Sequence, residues 1–296
     1  MPSHETNYKG IYFMLIAALG FSMMGGFARL LKPSFNAPQL VFYRNFFGLM
    51  VLLVSFLRYP VRQTGGRAVL LVFRGLMGTI ALYTLLYNIL HITLGAALTY
   101  NTTNTLFIAL LSGWFLKEKL SPIAWFCIVL GFAGVLLIYK PTGDFSWKYH
   151  IVGLICGLSS ALAYLSVSSL NRNYDTRVIV LSFLLNGVAL PTIGMLLGAF
   201  TSIRHDEFFI TEFKLPQGID WIYLLAMAGT ALMGQYFVTK AYGHDKAGIV
   251  SAIGYSNIIF ALTIGIILGD PFPGLISLLG IVLVILSGIT ISLTKK

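Results

Sequence analysis

The sequence predicts an all-α integral membrane protein of ten transmembrane helices. Of its 296 residues, 57% are hydrophobic and 10% are charged, where a water-soluble domain carries roughly 25% charged residues. Mean hydropathy over the whole chain is +0.84. Apolar runs recur from one end to the other, each near the ~20 residues that cross a ~30 Å hydrocarbon core at ~1.5 Å per residue. Backbone polar groups in lipid must be paired internally, which leaves helices or closed barrels. The runs lack the period-2 alternation of barrel strands, so they read as helices.

The helices are placed at 10–31, 38–57, 68–90, 93–116, 122–139, 149–171, 177–200, 218–241, 247–269 and 273–293. The first follows Lys9 and is too long for a signal-peptide core, so it reads as an uncleaved span. Pro33 and Pro38 bracket the first loop, and Arg58-Tyr59-Pro60 with Gly65-Gly66-Arg67 marks the second. Ser121-Pro122 opens the fifth helix, the run from Lys140 to Asp144 separates the two halves, and Asp270-Pro271-Phe272-Pro273 opens the tenth. Only Thr201 to Gly218 makes a loop of any size.

The net charge of +10 does not mark a nucleic-acid partner, because the basic residues are scattered over short loops between spans. They serve topology. Thirteen, including Arg58, Arg62, Arg67, Arg74, Lys117 and Lys119, fall in the loop set that contains both chain ends, and six fall in the other set. The positive-inside rule then puts both termini in the cytoplasm. The expected location is the cytoplasmic (inner) membrane, with the lipid bilayer and a small-molecule substrate as partners, as a monomer or homodimer. Cys127 and Cys156 lie within apolar runs and read as buried small hydrophobes.

The two halves echo each other. Laying Gly10–Arg29 on Gly153–Arg172 sets Ala17-Ala18-Leu19-Gly20-Phe21 against Ser160-Ala161-Leu162-Ala163-Tyr164. Further on, Ala109, Gly113, Leu116 and Glu118 fall on Ala261, Gly265, Leu268 and Asp270. Five helices per unit is an odd number, so the second copy crosses the membrane inverted, as in many secondary transporters. The units are 10–140 and 149–293.

These features, with Phe42-Tyr43-Arg44-Asn45, Leu116-Lys117-Glu118-Lys119-Leu120-Ser121 and the Gly280–Gly288 spacing, resemble the EamA-like transporters of the drug/metabolite transporter superfamily over nearly the whole chain. The resemblance implies movement of small metabolites across the cytoplasmic membrane by alternating access. Many relatives carry a proline midway along the fourth and ninth helices, where this chain has Asn104 and Ser256. Arg44 and Glu118 also lack close second-half equivalents, Leu185 and Asp270 standing there.

Intramembrane polar residues are the candidate substrate contacts. In the fourth helix Asn101, Asn104 and Thr105 share one face. Their amides suit zwitterionic or hydroxylated solutes, and helix–helix hydrogen bonding is the competing role. Tyr83, Tyr87 and Asn88 form an aromatic–amide stripe in the third helix with Thr84 and His91. Ser160 and Tyr164 lie along the small-residue side of the sixth. Gln235 and Thr239 in the eighth helix, with Ser251, Tyr255 and Ser256 in the ninth, complete a ring. Arg44 is the one cation read as well inside a span, with a structural role or direct anion binding open to it. Glu118 reads as a gate or loop anchor.

All ten carboxylates fall at helix ends, in loops or in tails, and no histidine is expected deep in a span. That excludes intramembrane aspartyl and Ser–His proteases. No metal-ligand cluster, Walker loop or dinucleotide fingerprint appears, so neither metal nor cofactor is expected. The function these features favour is a secondary transporter, an exporter or exchanger of small polar or amphipathic solutes such as amino acids. The alternatives are a flippase for lipid-linked or drug-like solutes and a membrane-embedded lipid-modifying enzyme.

Overall fold

The computed structural model describes residues 9–59, 61, 65–115, 121–138, 147–200, 208–244, 250 and 253–294. Among these, eleven helices are found and no strand: α1 Lys9–Leu30, α2 Ala37–Arg58, α3 Ala68–His91, α4 Leu94–Thr102, α5 Asn104–Phe115, α6 Pro122–Ile138, α7 Trp147–Leu170, α8 Thr176–Phe200, α9 Asp220–His244, α10 Ser256–Ile267 and α11 Leu275–Thr294. Six of them, α1, α2, α3, α7, α8 and α9, are long and apolar enough to cross a membrane, and further apolar helices are shorter. Their outer faces carry bare leucine, valine and isoleucine, such as Leu57 at 85% and Val69 at 86% exposure. Such surfaces suit lipid rather than water.

Two faces are defined by the loops that meet there. On one, the termini face, Arg67 at the start of α3 bonds Ser169 near the end of α7, and Arg177 at the start of α8 bonds the Tyr59 carbonyl after α2 at 2.9 Å. Lys9 and Thr294 belong to helix ends of this face. On the opposite, distal face, α2 opens with a capping box: the Asn36 side chain accepts the Gln39 N–H, and the Gln39 side chain accepts the Asn36 N–H. The segment from Phe208 to Gly218 is a strap over this face. Gln39 donates to the Glu212 carbonyl at 2.8 Å, Tyr43 to the Lys214 carbonyl at 2.6 Å, and Lys214 back to the Ser34 carbonyl at 2.8 Å.

The main packed pairs are α1 with α9 and α10, α3 with α7 and α8, α2 with α8 and α9, α4 with α10, and α6 with α11. Glycine sets the closest approach. A Cβ on Gly20 of α1 would lie 2.9 Å from the Thr230 carbonyl oxygen of α9, so backbone meets backbone there.

The fourth span is not one helix. It breaks at Thr103, whose N–H turns back to Tyr100 O at 3.2 Å, while Leu106 N–H reaches Thr103 O at 2.9 Å. The ninth span breaks likewise at Tyr255, with Ile258 N–H on Tyr255 O at 3.0 Å. Both breaks immediately precede the positions, Asn104 and Ser256, where a family proline is expected and missing. In the fourth span side chains do the work of the proline. Asn104 Nδ2 donates to the Asn101 carbonyl at 2.8 Å, and Thr102 and Thr103 hydroxyls donate to carbonyls three residues back. Such bonds offer the backbone an alternative to the helical ladder.

Candidate functional site

At the level of the two breaks lies a pair of adjoining cavities that share Phe21, Asn101 and Tyr164. The larger, about 70 Å³, is walled by α1, α2, α3, α4, α7, α8 and α9, and Arg44, Arg74, Asn101, Ser160, Tyr164 and Gln235 supply its polar lining. The smaller, about 40 Å³, adds Thr102, Asn104, Thr105, Tyr255 and Asn257. Ser160 Oγ donates to Asn101 Oδ1 at 3.0 Å, with Cys156 Sγ 3.5 Å from the same oxygen. Asn101 is therefore held by α7 at the junction of the two spaces. Ser22 of α1 holds the residue two past the ninth-helix break, donating to the Asn257 carbonyl and side chain at 3.0 and 2.6 Å.

The larger cavity holds two buried arginines. Arg44 is 3% exposed and Arg74 is 4% exposed, and no other Arg or Lys is buried among the described residues. Arg44 lies seven residues inside its helix, ~10 Å from the distal end of α2. Arg74 lies six residues inside the other end of α3, ~9 Å from the termini face. The two guanidiniums share one aromatic ring, Phe183, at 4.9 and 5.3 Å from its centroid. Arg44 donates to Asn45 Oδ1 at 2.8 Å. Both Nε atoms are buried without a hydrogen-bond partner among the described residues, and neither cavity is lined by Asp or Glu. An arginine at mid-membrane costs ~2.5–3.5 kcal/mol on insertion scales, and a cation–π contact offsets ~0.5–2 kcal/mol of that.

Several sequence-predicted residues meet here: Arg44, Asn101, Asn104, Thr105, Ser160, Tyr164, Gln235 and Tyr255. Others lie elsewhere. Tyr83, Tyr87 and Asn88 face the distal side. Tyr87 stacks on His91 at 4.2 Å and packs edge-on to Phe208, Tyr83 packs on Phe208 too, and Asn88 donates to the Tyr149 carbonyl at 3.2 Å. Thr239 lines a separate crevice of about 980 Å³ between α2, α8 and α9, which runs toward the termini face and reaches Gln235. Ser256 lines neither cavity. Ser251 and Glu118 fall outside the described residues.

One expectation is corrected. Arg74 is a second buried cation, not a loop charge. The signal was available, since it sits within the 68–90 span, but proximity to a helix end made it read as topology. His150 is also buried, 1% exposed, with Nδ1 against the Tyr100 hydroxyl. Tyr100 fits there because Gly153, one turn on from His150, leaves room for its ring.

The distal side above the cavities is latched. Gly269, at φ +93, ends α10 in a Schellman motif, with Asp270 N–H on Gly265 O at 2.8 Å and Gly269 N–H on Ile266 O at 3.0 Å. The motif delivers Asp270 to the helix ends around it. Its Oδ2 accepts the Leu94 N–H at 2.7 Å, capping α4, and its Oδ1 meets Arg29 Nη2 at 2.5 Å. Arg29 Nη1 in turn caps α3, donating to the Ile89 and Ile92 carbonyls at 2.6 and 2.5 Å. One ion pair thus ties the ends of α1, α3, α4 and α10.

Comparison with known proteins agrees with this architecture. A model of the EamA-like transporter family matches residues 8–140. An uncharacterized transporter of Helicobacter pylori is 33% identical over 96% of this chain and 94% of its own length. The pseudopaline exporter CntI of Pseudomonas aeruginosa is 27% identical over 97% of both chains, and an S-adenosylmethionine uptake transporter of Rickettsia felis is 21% identical over 99% of this chain and 95% of its own. A crystal structure at 16% identity superposes with a TM-score of 0.62 over 93% of this chain and 95% of that one, a likeness of fold alone. Sequence, spans and relatives place the chain in one family: it belongs to the EamA-like transporters of the drug/metabolite transporter superfamily.

Proposed function

We propose that the chain is a secondary transporter, an exporter or exchanger, that moves small polar or amphipathic organic solutes such as amino acids by alternating access. It works as two inverted repeats, 10–140 and 149–293, in the cytoplasmic membrane with the termini face inward. The observation that carries this reading is the cavity lined by polar side chains from both halves, which adjoins a smaller space between the two broken spans, is latched on one side and is approached by a crevice on the other. At about 70 Å³ it is far below the ~300–1,000 Å³ of an occupied small-molecule pocket, so substrate entry requires the walls to part.

The helix pairing supports the inverted repeat. Exchanging the first five spans for the second five turns α1–α9 into α7–α3, α2–α9 into α8–α3 and α1–α10 into α7–α5, and maps α2–α8 and α6–α11 onto themselves; all of these pairs are packed. The breaks at Thr103 and Tyr255 correspond in the register that lays Ala109 on Ala261. A pseudo-two-fold lets one half rock against the other around a fixed midplane site. The Arg29–Asp270 latch closes the outer side in this state.

The test is efflux from proteoliposomes loaded with a bacterial metabolite extract, read by mass spectrometry. A few small solutes should leave faster than from protein-free vesicles, and faster still with the same solute outside. Equal efflux with and without folded protein would sink the transport reading, and movement of labelled lipid instead would turn it to a flippase.

A further inference from the structure

The two buried arginines are the feature of this cavity that the transport reading leaves unexplained. An intramembrane arginine ordinarily snorkels to the nearer interface. For Arg74 that is the termini face, which is also the direction in which helical side chains lean. Its guanidinium goes the other way. A Cβ on Gly78, one turn deeper in α3, would lie 2.5 Å from Arg74 Nη1 and 2.9 Å from the Phe183 ring. Gly78 thus clears the path by which Arg74 reaches inward. Arg44 enters the same space from α2, nearer the distal face, and the two cations meet at Phe183. Like charges brought together without an acidic partner among the described residues, with each Nε unbonded there, leave a positive pole waiting for an anion. The same cavity is lined by the Asn101 and Gln235 amides, the Ser160 hydroxyl and the Tyr164 phenol, which suit an amino or hydroxyl group.

We propose that Arg44 and Arg74 form the anion end of the substrate site and hold the carboxylate of an organic-acid or amino-acid solute. The planar guanidinium fork matches a carboxylate in two-point contact, and the amide end sorts among solutes by their second polar group. This rests on the transport reading, of which it names the substrate class. An inorganic oxyanion shares the same chemistry, so the test separates the two sources.

The experiment is thermal unfolding of the purified full chain in detergent with succinate, glutamate, their dimethyl esters, or inorganic phosphate at equal ionic strength. At least one free acid should raise the melting temperature in a saturable way, and its uncharged ester should not. Arg74→Gln and Arg44→Gln should each weaken that acid roughly 10- to 150-fold, as removal of a hydrogen bond to a charged group does. Arg74→Met supplies the control for folding. A cation held for substrate and otherwise unpartnered should leave the ligand-free protein as stable or more stable when removed, whereas a structural arginine should leave it weaker.

Equal stabilisation by acid and ester, stabilisation by phosphate alone, no response to any acid, or an acid response retained in both variants would overturn the proposal. Proteoliposome flux separates the two readings. Flux of neutral solutes that both variants retain would overturn the carboxylate site and leave transport standing. An acid-stabilised protein that passes no solute would overturn transport and leave the site standing.

Discussion

Arg29→Gln tests whether the distal ion pair is what keeps the cavity shut. The substitution removes a cation that bonds Asp270 and the Ile89 and Ile92 carbonyls. It strands a carboxylate whose side chain is only 7% exposed and leaves it the Leu94 N–H as a partner. Breaking a deeply buried pair costs ~3–5 kcal/mol, but the Arg29 side chain is 22% exposed, so water recovers part of that loss. About 2 kcal/mol is a fair figure for the charge-assisted bonds. If the latch exists only in the closed state, the ratio of closed to distally open protein falls about thirtyfold, at 1.4 kcal/mol per decade.

The readout is a thiol inside the cavity. Ser160→Cys, in a chain with Cys127 and Cys156 changed to Ala, should react slowly with a membrane-impermeant maleimide added to the distal face. The rate should rise by up to thirtyfold when Arg29→Gln is added. Asp270→Asn should act in the same direction, and the double variant should add little to either, since both remove one pair. An unchanged rate in both single variants would refute the latch. So would acceleration from both faces together with an equal fall in melting temperature, because that pattern is loosening of the whole fold.

Three further outcomes follow from the geometry. At this break the helical ladder is already interrupted, with the Thr103 N–H on the Tyr100 carbonyl and the Leu106 N–H on the Thr103 carbonyl, each three residues back. Asn104→Pro should therefore cost only the ~1 kcal/mol of its amide bond to Asn101, against ~3 kcal/mol or more for Ala109→Pro inside α5; thermal unfolding of the two variants decides. Gly20→Ala should lower the melting temperature more than Gly234→Ala, because the added methyl on Gly20 meets the Thr230 carbonyl and Gly234 N, whereas on Gly234 its nearest neighbours are side-chain atoms of the Phe21 ring. Asp175, in the loop before α8, is raised by partial burial, but hydrogen bonds from the Arg177 side chain and N–H outweigh this and leave its pKa below the usual 3.8. The stability this gives is complete above pH ~4 and is lost as pH falls through the lowered value; Asp175→Asn should flatten the acid limb of unfolding between pH ~5 and 3.

What the sequence made legible here is what a bilayer dictates. Hydrophobic run length and Pro/Gly punctuation set α2, α3 and α8 to within a residue or two, because lipid thickness fixes span length whatever the fold. The polar face of Asn101, Asn104 and Thr105 was legible too, since uncompensated polar groups in a span need a reason. The break beside them was not. A proline would have announced it by lacking an N–H, but here it is made by hydroxyl and amide groups that accept or donate equally well inside a straight helix. Asn88 shares helical spacing with the cavity-lining side of α3, whereas Tyr83 and Tyr87 lie on its opposite side; the strap residue Phe208 and Tyr149 hold all three near the distal face, and a period of 3.6 says nothing of depth.

Arg74 is the instructive case. By position it is one more basic residue near the termini face, indistinguishable from a topology signal. Only the direction of its side chain, across Gly78 toward Phe183 and Arg44, turns it into half of a buried positive pole, and that direction depends on which helix lies opposite. A charge count reads where a cation starts, whereas selectivity in a transport site depends on where it ends.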